Sequence, residues 1–344
     1  MALDREAPAS LRAQLEAGLR EAIRAGRLAA GARMPASRTL AADLGVSRRL
    51  VVEVYAQLAA ERWLEARTGS GTFVARDAAG YAAPAAQPQP GPPRYDFFPG
   101  SPALGAFPRS PWARALREAL RELPDRRLGY GDIRGTAEAR EELAAYLRRA
   151  RAVTASADAV LTCAGTTGGL ALVATVLVRA GRRRVAVEDP SLPHLRALTE
   201  AAGAETVSVP VDDQGIDVEA LARTGADAVL VTPGHQFPTG IALGPERRGA
   251  LVEWAGGGRL VIEDDYNAEF RYDRPAVGAL QGLAPDRVVY LGSASKALAP
   301  ALRLGWVVAP ADLVGPLAQA KLYSGHGPGA LEEHALASVL RRGE

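Results

Sequence analysis

Apolar residues recur four positions apart at Leu11, Leu15, Leu19 and Ile23, which predicts an amphipathic first helix. The stretch "SRTLAADLGVSRRLVVEVYAQLAAERW" follows. A short helix starts at Ser37 and stops at Gly45, and a second starts behind Ser47 as its N-cap. In the second helix Leu50, Val51, Val54, Tyr55 and Leu58 form one stripe, with Arg48 and Arg49 in the first turn off that stripe. Two helices joined so closely are a helix-turn-helix pattern. "WLEARTGSGTFVA" then reads as two short strands around a Gly/Ser-rich tip. Residues 77–94 are rich in Ala, Pro and Gly with no surviving period, which predicts a semi-extended linker. Beyond it the pattern changes. "RRVAVED", "TVSVPV", "AVLVTP", "RLVIEDD", "VVYLGS" and "LGWVVA" are short buried-strand runs, most of them separated by helical segments. That alternation predicts an α/β domain with a mainly parallel sheet, whose ligands collect at the carboxyl ends of the strands. The expected division is a head at 1–76, the linker at 77–94 and a body at 95–344.

Composition sharpens this division. The chain has 344 residues, 48% of them hydrophobic, enough for a sizeable core. Residues 1–76 carry 12 arginines and no lysine against 8 acidic residues, net +4, while the remainder is net −2. A basic head on a mildly acidic body suits nucleic-acid binding by the head. The single cysteine, Cys163, excludes an internal disulfide, and free cysteine is commonly a buried small residue. The N-terminus has no apolar signal core, and the longest apolar run, from Leu170, is too short to cross a bilayer. The expectation is a cytoplasmic protein without a membrane partner.

The second helix of a helix-turn-helix enters the major groove with its N-terminal residues nearest the bases. Ser47, Arg48 and Arg49 stand there, Arg38 is placed to reach the backbone, and the tip Gly69, Ser70, Gly71 and Thr72 lets main chain approach a duplex. The plainer alternative is a solvated arginine face on a small helical domain. The wing and the arginine placement agree on double-stranded DNA. With the preceding "GRLAAGARMPASR", this segment resembles the winged helix-turn-helix of GntR-type bacterial transcription regulators.

Among 41 basic residues only Lys296 and Lys321 are lysines. Arginine stays protonated, whereas a lysine amine can lose its proton and attack an aldehyde. Lys296 lies in "GSASKALAPALRLGWVV", between two strand-like runs. A pyridoxal phosphate site needs such a lysine, an acid for the ring nitrogen, a donor near the ring oxygen and a phosphate cup. "VIEDDYNAEF" offers Asp264 for the nitrogen and Tyr266 for the oxygen. With no histidine nearby, a transition metal is discounted for this acidic run. Gly165, Thr166 and Thr167 precede an apolar helix whose N-terminus suits an anion, and Ser293 and Arg303 flank Lys296. Taken alone, "AGTTGG" is better read as an ordinary loop and cap.

Together these pieces resemble fold type I aminotransferases, and with the winged head they look like the MocR/GabR branch of GntR regulators. "LGYGDIRGTAEAREELAAYLRRARAV", "VTPGHQFPTG", "VIEDDYNAEFRY" and "SASKALAPALRLGWVVAP" carry the likeness through most of the body. The resemblance implies pyridoxal phosphate on Lys296, a homodimer, and control of an operator by an amine or amino-acid effector that reacts with, or docks at, the cofactor. The sequence departs from the family in three places. Leu192 stands where the family usually has an aromatic that stacks on the ring, and "FPTG" puts Phe237 where classical enzymes have asparagine, with His235 or Gln236 as compensation or as mere loop residues. The chain also stops at Glu344, so a fold apparently truncated before the small C-terminal domain is expected, without that domain's carboxylate-binding arginine. Two alternatives stay open: an aminotransferase with an accessory DNA-binding head, and a DNA-binding regulator whose body has lost the cofactor. Trp112, Trp254 and Trp306 are expected to pack cores or interfaces, and His194, His326 and His334 have no evident role.

Overall fold

The computed structural model describes residues 3–67, 69–75, 94–95, 100–267, 269–270, 277–325 and 327–343. Residues 77–93 of the Pro/Ala-rich stretch, and His326, lie outside them. The chain forms two compact units, Met1–Asp96 and Phe97–Glu344.

In the first unit, α1 (Leu11–Arg24) buries Leu15, Leu19 and Ile23, while Leu11 stays half-exposed at the helix start. Helix α2 (Ser37–Leu44) ends at Gly45 in the left-handed region, where glycine has no Cβ to clash. Helix α3 (Arg48–Ala60) begins behind Ser47, whose hydroxyl accepts from the Leu50 N–H at 3.2 Å, a cap worth about 1 kcal/mol. It buries Val51, Val54, Tyr55 and Leu58, and the Tyr55 hydroxyl donates to the Pro35 carbonyl at 2.9 Å. Strands β1 (Leu64–Arg67) and β2 (Gly71–Val74) pair antiparallel, Leu64 opposite Val74 and Arg67 opposite Gly71. Leu64 and Val74 join the helix residues in one small core.

The second unit is built on an eight-stranded sheet. Its strands are β3 (Val160–Cys163), β4 (Arg184–Asp189), β5 (Glu205–Asp212), β6 (Gly215–Ile216), β7 (Ala228–Val231), β8 (Leu260–Asp264), β9 (Val288–Ser293) and β10 (Gly305–Val308). The spatial order is β3-β10-β9-β8-β7-β4-β5-β6. Strands β5, β4, β7, β8 and β9 run parallel, whereas β10 is antiparallel to both β9 and β3. The chain runs outward from β4 to β5 and then returns past β4 to β7, so the order reverses between β4 and β7. At such a reversal the loops part and leave a crevice above the strand ends.

One face of the sheet packs on α6 (Gly165–Arg179), α7 (Pro193–Ala201) and α10 (Ala311–Ser324) through Leu170, Val173, Leu177, Leu195 and Leu317. The other face packs on α8 (Val218–Arg223) and α9 (Pro245–Trp254), with Leu221, Leu251 and Trp254 against Val229 and Val261. Helices α4 (Arg109–Glu122), α5 (Ala137–Arg151) and α11 (Ala330–Arg342) close the β3 end around Trp112, Leu143, Leu336 and Trp306. All three tryptophans are therefore core residues.

Candidate functional site

The residues of the body that sequence reasoning singled out follow three strands: Gly165, Thr166 and Thr167 come after β3, Asp264 and Tyr266 lie at the end of β8, and Ser293 and Lys296 at the end of β9, with Arg303 just before β10. Strand β8 ends in Glu263 and Asp264, with Asp265 next, and all three are buried. A buried carboxylate is costly unless paired, so the partners decide what each one does. Glu263 accepts from the Leu280 and Gln281 N–H groups at 2.9 and 3.0 Å. Asp265 accepts from Arg151 Nε and from the Tyr290 hydroxyl, both at 2.8 Å. Asp264 Oδ1 is buried with no hydrogen-bond partner. Burial, then the neighbouring Asp265 and Glu188 charges, push the Asp264 carboxyl up to about 7. Among the described residues Asp264 is the one of the three acids with an oxygen, Oδ1, left without a hydrogen bond, and a protonated ring nitrogen would supply one.

Lys296 follows β9 on a turn and is half-buried, and its ammonium donates to the Gly100 carbonyl. A Cβ on Gly100, whose φ is +83°, would stand 2.8 Å from that nitrogen, so only glycine suits this approach. Burial lowers the Lys296 amine below its ordinary range, while the Asp264 carboxylate pulls it back up. The amine and the vacant carboxylate thus belong to one site. The Tyr266 hydroxyl donates to the His235 carbonyl at 3.0 Å, and burial pushes it up to about 12, so it remains a donor.

Gly165, Thr166 and Thr167 form the first turn of α6, with Gly165 at φ +73°. Arg303, itself left-handed at φ 54°, donates from Nη2 to the carbonyl of Ala164, the residue before that turn, at 3.1 Å. A Cβ on Gly305 would lie 2.5 Å from Gly165 Cα, so β10 and the turn touch backbone to backbone. Ser293 is buried at the end of β9, where its hydroxyl accepts from the Ser295 N–H at 3.4 Å. Helix-start N–H groups, an arginine and a hydroxyl around a glycine-lined turn are donors of the kind that suit a phosphate. With the vacant Asp264 oxygen and the half-buried lysine, these residues fit pyridoxal phosphate.

The two departures near the ring border one small cavity, lined by Val187, Glu188, Ser191, Leu192, Leu195, Leu230, Thr232 and Phe237. Gln236 is committed to the loop. It donates to the Pro190 carbonyl at 2.7 Å and accepts from the Thr239 hydroxyl at 2.6 Å. The side chain of Gln236 is thus occupied as a loop brace, and what His235 brings to Tyr266 is its carbonyl. Sequence reasoning passed over Glu188 and Thr232, and the detectable signal was a carboxylate at the end of a buried strand, in "VEDP". It also left Lys321 unexplained. That amine is buried in α10 and donates to the Thr162 hydroxyl at 3.1 Å.

In the head, Arg38, Ser47, Arg48 and Arg49 are all exposed, Arg38 on α2 and the others at the start of α3. Arg49 pairs with Glu53 at 2.8 Å, and the Ser47 hydroxyl is occupied by its cap. Of the four residues expected at the wing tip, Gly69 and Ser70 form the turn between β1 and β2, whereas Gly71 and Thr72 already belong to β2, paired with Arg67 and Ala66. Arg33 lies against Gly71 and Arg67 stacks over Phe73 at 4.6 Å, two wing arginines that no sequence motif had marked.

Comparison with known proteins places both units. Residues 11–74 match the bacterial regulatory proteins of the gntR family, and residues 105–341 match aminotransferase class I and II. The whole chain is 35% identical to the HTH-type pyridoxine biosynthesis transcriptional regulator PdxR of Corynebacterium glutamicum, covering 76% of that protein. It is 36% identical to the probable rhizopine catabolism regulatory protein MocR of Rhizobium meliloti, again over all of this chain and 74% of that protein. Among solved structures, an archaeal alanine:glyoxylate aminotransferase superposes on 71% of the chain with a TM-score of 0.66 and 29% identity, the match spanning 62% of its own length. A gntR-type winged head, an aminotransferase-type body and full-length likeness to regulators that join the two show that this chain belongs to the MocR-type branch of the GntR transcription regulators.

Proposed function

We propose that the head reads an operator in double-stranded DNA and that the body binds pyridoxal phosphate and through it senses an amine or amino acid. The observation that carries the cofactor half is the buried, unpartnered Asp264 Oδ1 beside Lys296. Bound there, pyridoxal phosphate supplies an aldehyde that condenses with amines and a ring that withdraws electrons from the attached carbon. Lys296 holds the amine that competes with the effector for that aldehyde. Burial lowers its proton affinity, which favours the neutral, nucleophilic amine. Asp264 holds the ring nitrogen's proton in place, and Tyr266 presents its hydroxyl from the His235 carbonyl. The α6 turn, Ser293 and Arg303 hold the phosphate.

On the DNA side, Arg48 and Arg38 are exposed and form no ion pair among the described residues, which leaves both available to bases or phosphates. A homodimer presenting two heads would read two half-sites about one helical turn apart or a multiple of it. The effector acts only if it binds the two states of the body differently.

The test is the visible absorption spectrum of the full chain with pyridoxal phosphate beside Lys296→Ala, followed by operator binding with and without candidate amines. A visible band in the parent that disappears in the variant is expected, together with an amine-dependent change in DNA affinity. A folded parent that stays colourless overturns the cofactor half. Operator switching that persists in Lys296→Ala overturns the covalent role of the lysine.

A further inference from the structure

Helix α3 sorts its residues by side. Val51, Val54, Tyr55 and Leu58 face the small core of the head, and Leu50 packs against it. Arg48, Arg49, Val52 and Ala56 are all exposed, and spacings of three and four between them put them on one outward side. Val52 is 46% exposed, and among the described residues 3–75 it is the one large apolar side chain so open to water. A single exposed valine is common on protein surfaces. This one stands one helical turn beyond Arg48, on the side that carries the exposed arginines of α3.

The charge around it favours a polyanion. Glu53, the sole acid of α3, accepts from Arg49 Nε at 2.8 Å and stands 3.9 Å from Arg12 Nη1, so its charge is neutralised. The outward side of α3 therefore offers a duplex two guanidiniums and one branched hydrocarbon. In the major groove the base edges present donors and acceptors, with one apolar group among them, the 5-methyl of thymine. Valine can neither donate nor accept. Beside an amino or carbonyl edge it would strip water from a polar group and put nothing in its place, whereas beside a thymine methyl two apolar surfaces leave water together. A β-branched side chain in a helix is held at χ1, so this contact costs little side-chain freedom.

Resting on the reading that the head binds double-stranded DNA, we propose that Val52 is a specificity-determining residue of α3: it selects a thymine in each half-site through the 5-methyl group of that base. Arg48 and Arg49 supply charge and hydrogen bonds on either side of it, and neither can recognise a methyl group.

The experiment uses the full chain. Duplexes that it retains from a random-sequence pool are sequenced, and the most enriched duplex is remade with each thymine in turn replaced by deoxyuridine, which pairs as thymine does and lacks only the methyl group. Affinities of the parent and of Val52→Ala are measured by fluorescence anisotropy at one fixed salt concentration, since salt alone moves them. Alanine is a better helix former than valine at this exposed position, so the variant keeps the fold. At one thymine in each half-site the parent is expected to bind the deoxyuridine duplex roughly fourfold more weakly, the worth of one buried methyl group. Val52→Ala is expected to bind both duplexes equally well there, while any dependence on other thymines stays as in the parent. An enriched sequence in which no thymine methyl matters, or a thymine-to-deoxyuridine ratio that Val52→Ala leaves unchanged at every position, overturns the role of Val52 and leaves the DNA reading intact. A parent that enriches no sequence overturns sequence reading by the head, and the role of Val52 with it.

Discussion

Replacing Arg151 with methionine isolates what holds the acidic end of β8 together. Arg151 closes α5 and its side chain is 3% exposed, paired through Nε to Asp265, itself 2% exposed. The guanidinium neutralises Asp265, the last of three consecutive buried acids. Methionine fills a similar volume but removes the charge. The Tyr290 hydroxyl would be left as the main donor to a buried carboxylate. Breaking such a pair from one side costs about 3–5 kcal/mol, because the desolvated charge remains without its Coulomb partner. For a unit of this size each kcal/mol moves the melting temperature by roughly 2–4 °C, so a fall of about 6–20 °C is expected. The assay is urea and thermal unfolding followed by near-ultraviolet circular dichroism, which in the body reports Trp112, Trp254 and Trp306. The double variant Arg151→Met/Asp265→Leu removes both charges and is expected to recover most of the loss, the sign of a coupled pair. An Arg151→Met protein less than about 1 kcal/mol below the parent would refute the reasoning, since water or movement would then be solvating Asp265.

Three further outcomes are expected. Asp264→Asn is expected to make the cofactor-free protein more stable at pH 8, with the gap closing towards pH 4: an acid raised to about 7 binds more protons folded than unfolded, so its cost is absent at low pH and grows as pH rises to that value. A pH-independent difference in unfolding free energy would contradict this. Gly305→Ala puts a Cβ 2.5 Å from the Gly165 backbone, and since neither strand nor turn can give way cheaply, pyridoxal phosphate affinity by titration is expected to fall at least tenfold; unchanged affinity would show that the turn is not the phosphate cradle. Arg48→Ala is expected to weaken operator binding and to reduce the slope of log K against log salt by about one if it meets a phosphate, or to relax specificity at one base pair if it reads an edge. Binding and salt dependence both equal to the parent would remove Arg48 from the interface.

The pattern of apolar positions by itself determined most of the elements and the kind of site. The four-residue spacing from Leu11, the Ser47 cap, the Gly45 stop and the six strand runs are local signals, and local sterics and burial were enough to realise them. A lysine in a chain that otherwise uses arginine, and an acid at the end of a buried strand, pointed to chemistry because only certain side chains can do it. What remained hidden was set by neighbours distant in sequence. Strand β3 is a four-residue run with no period to betray it, and its place beside an antiparallel β10 comes from pairing across more than 140 residues. The glycine at 305 is unremarkable as a letter and becomes necessary because the Gly165 backbone approaches it in space. Reading "EDD" as a sequence singled out Asp264, but the environment of each acid came only from tertiary structure, which gives Glu263 two backbone donors, Asp265 an arginine and a tyrosine, and leaves Asp264 Oδ1 without a hydrogen bond, because the energy of a buried charge depends on its partners and not on its place in the chain.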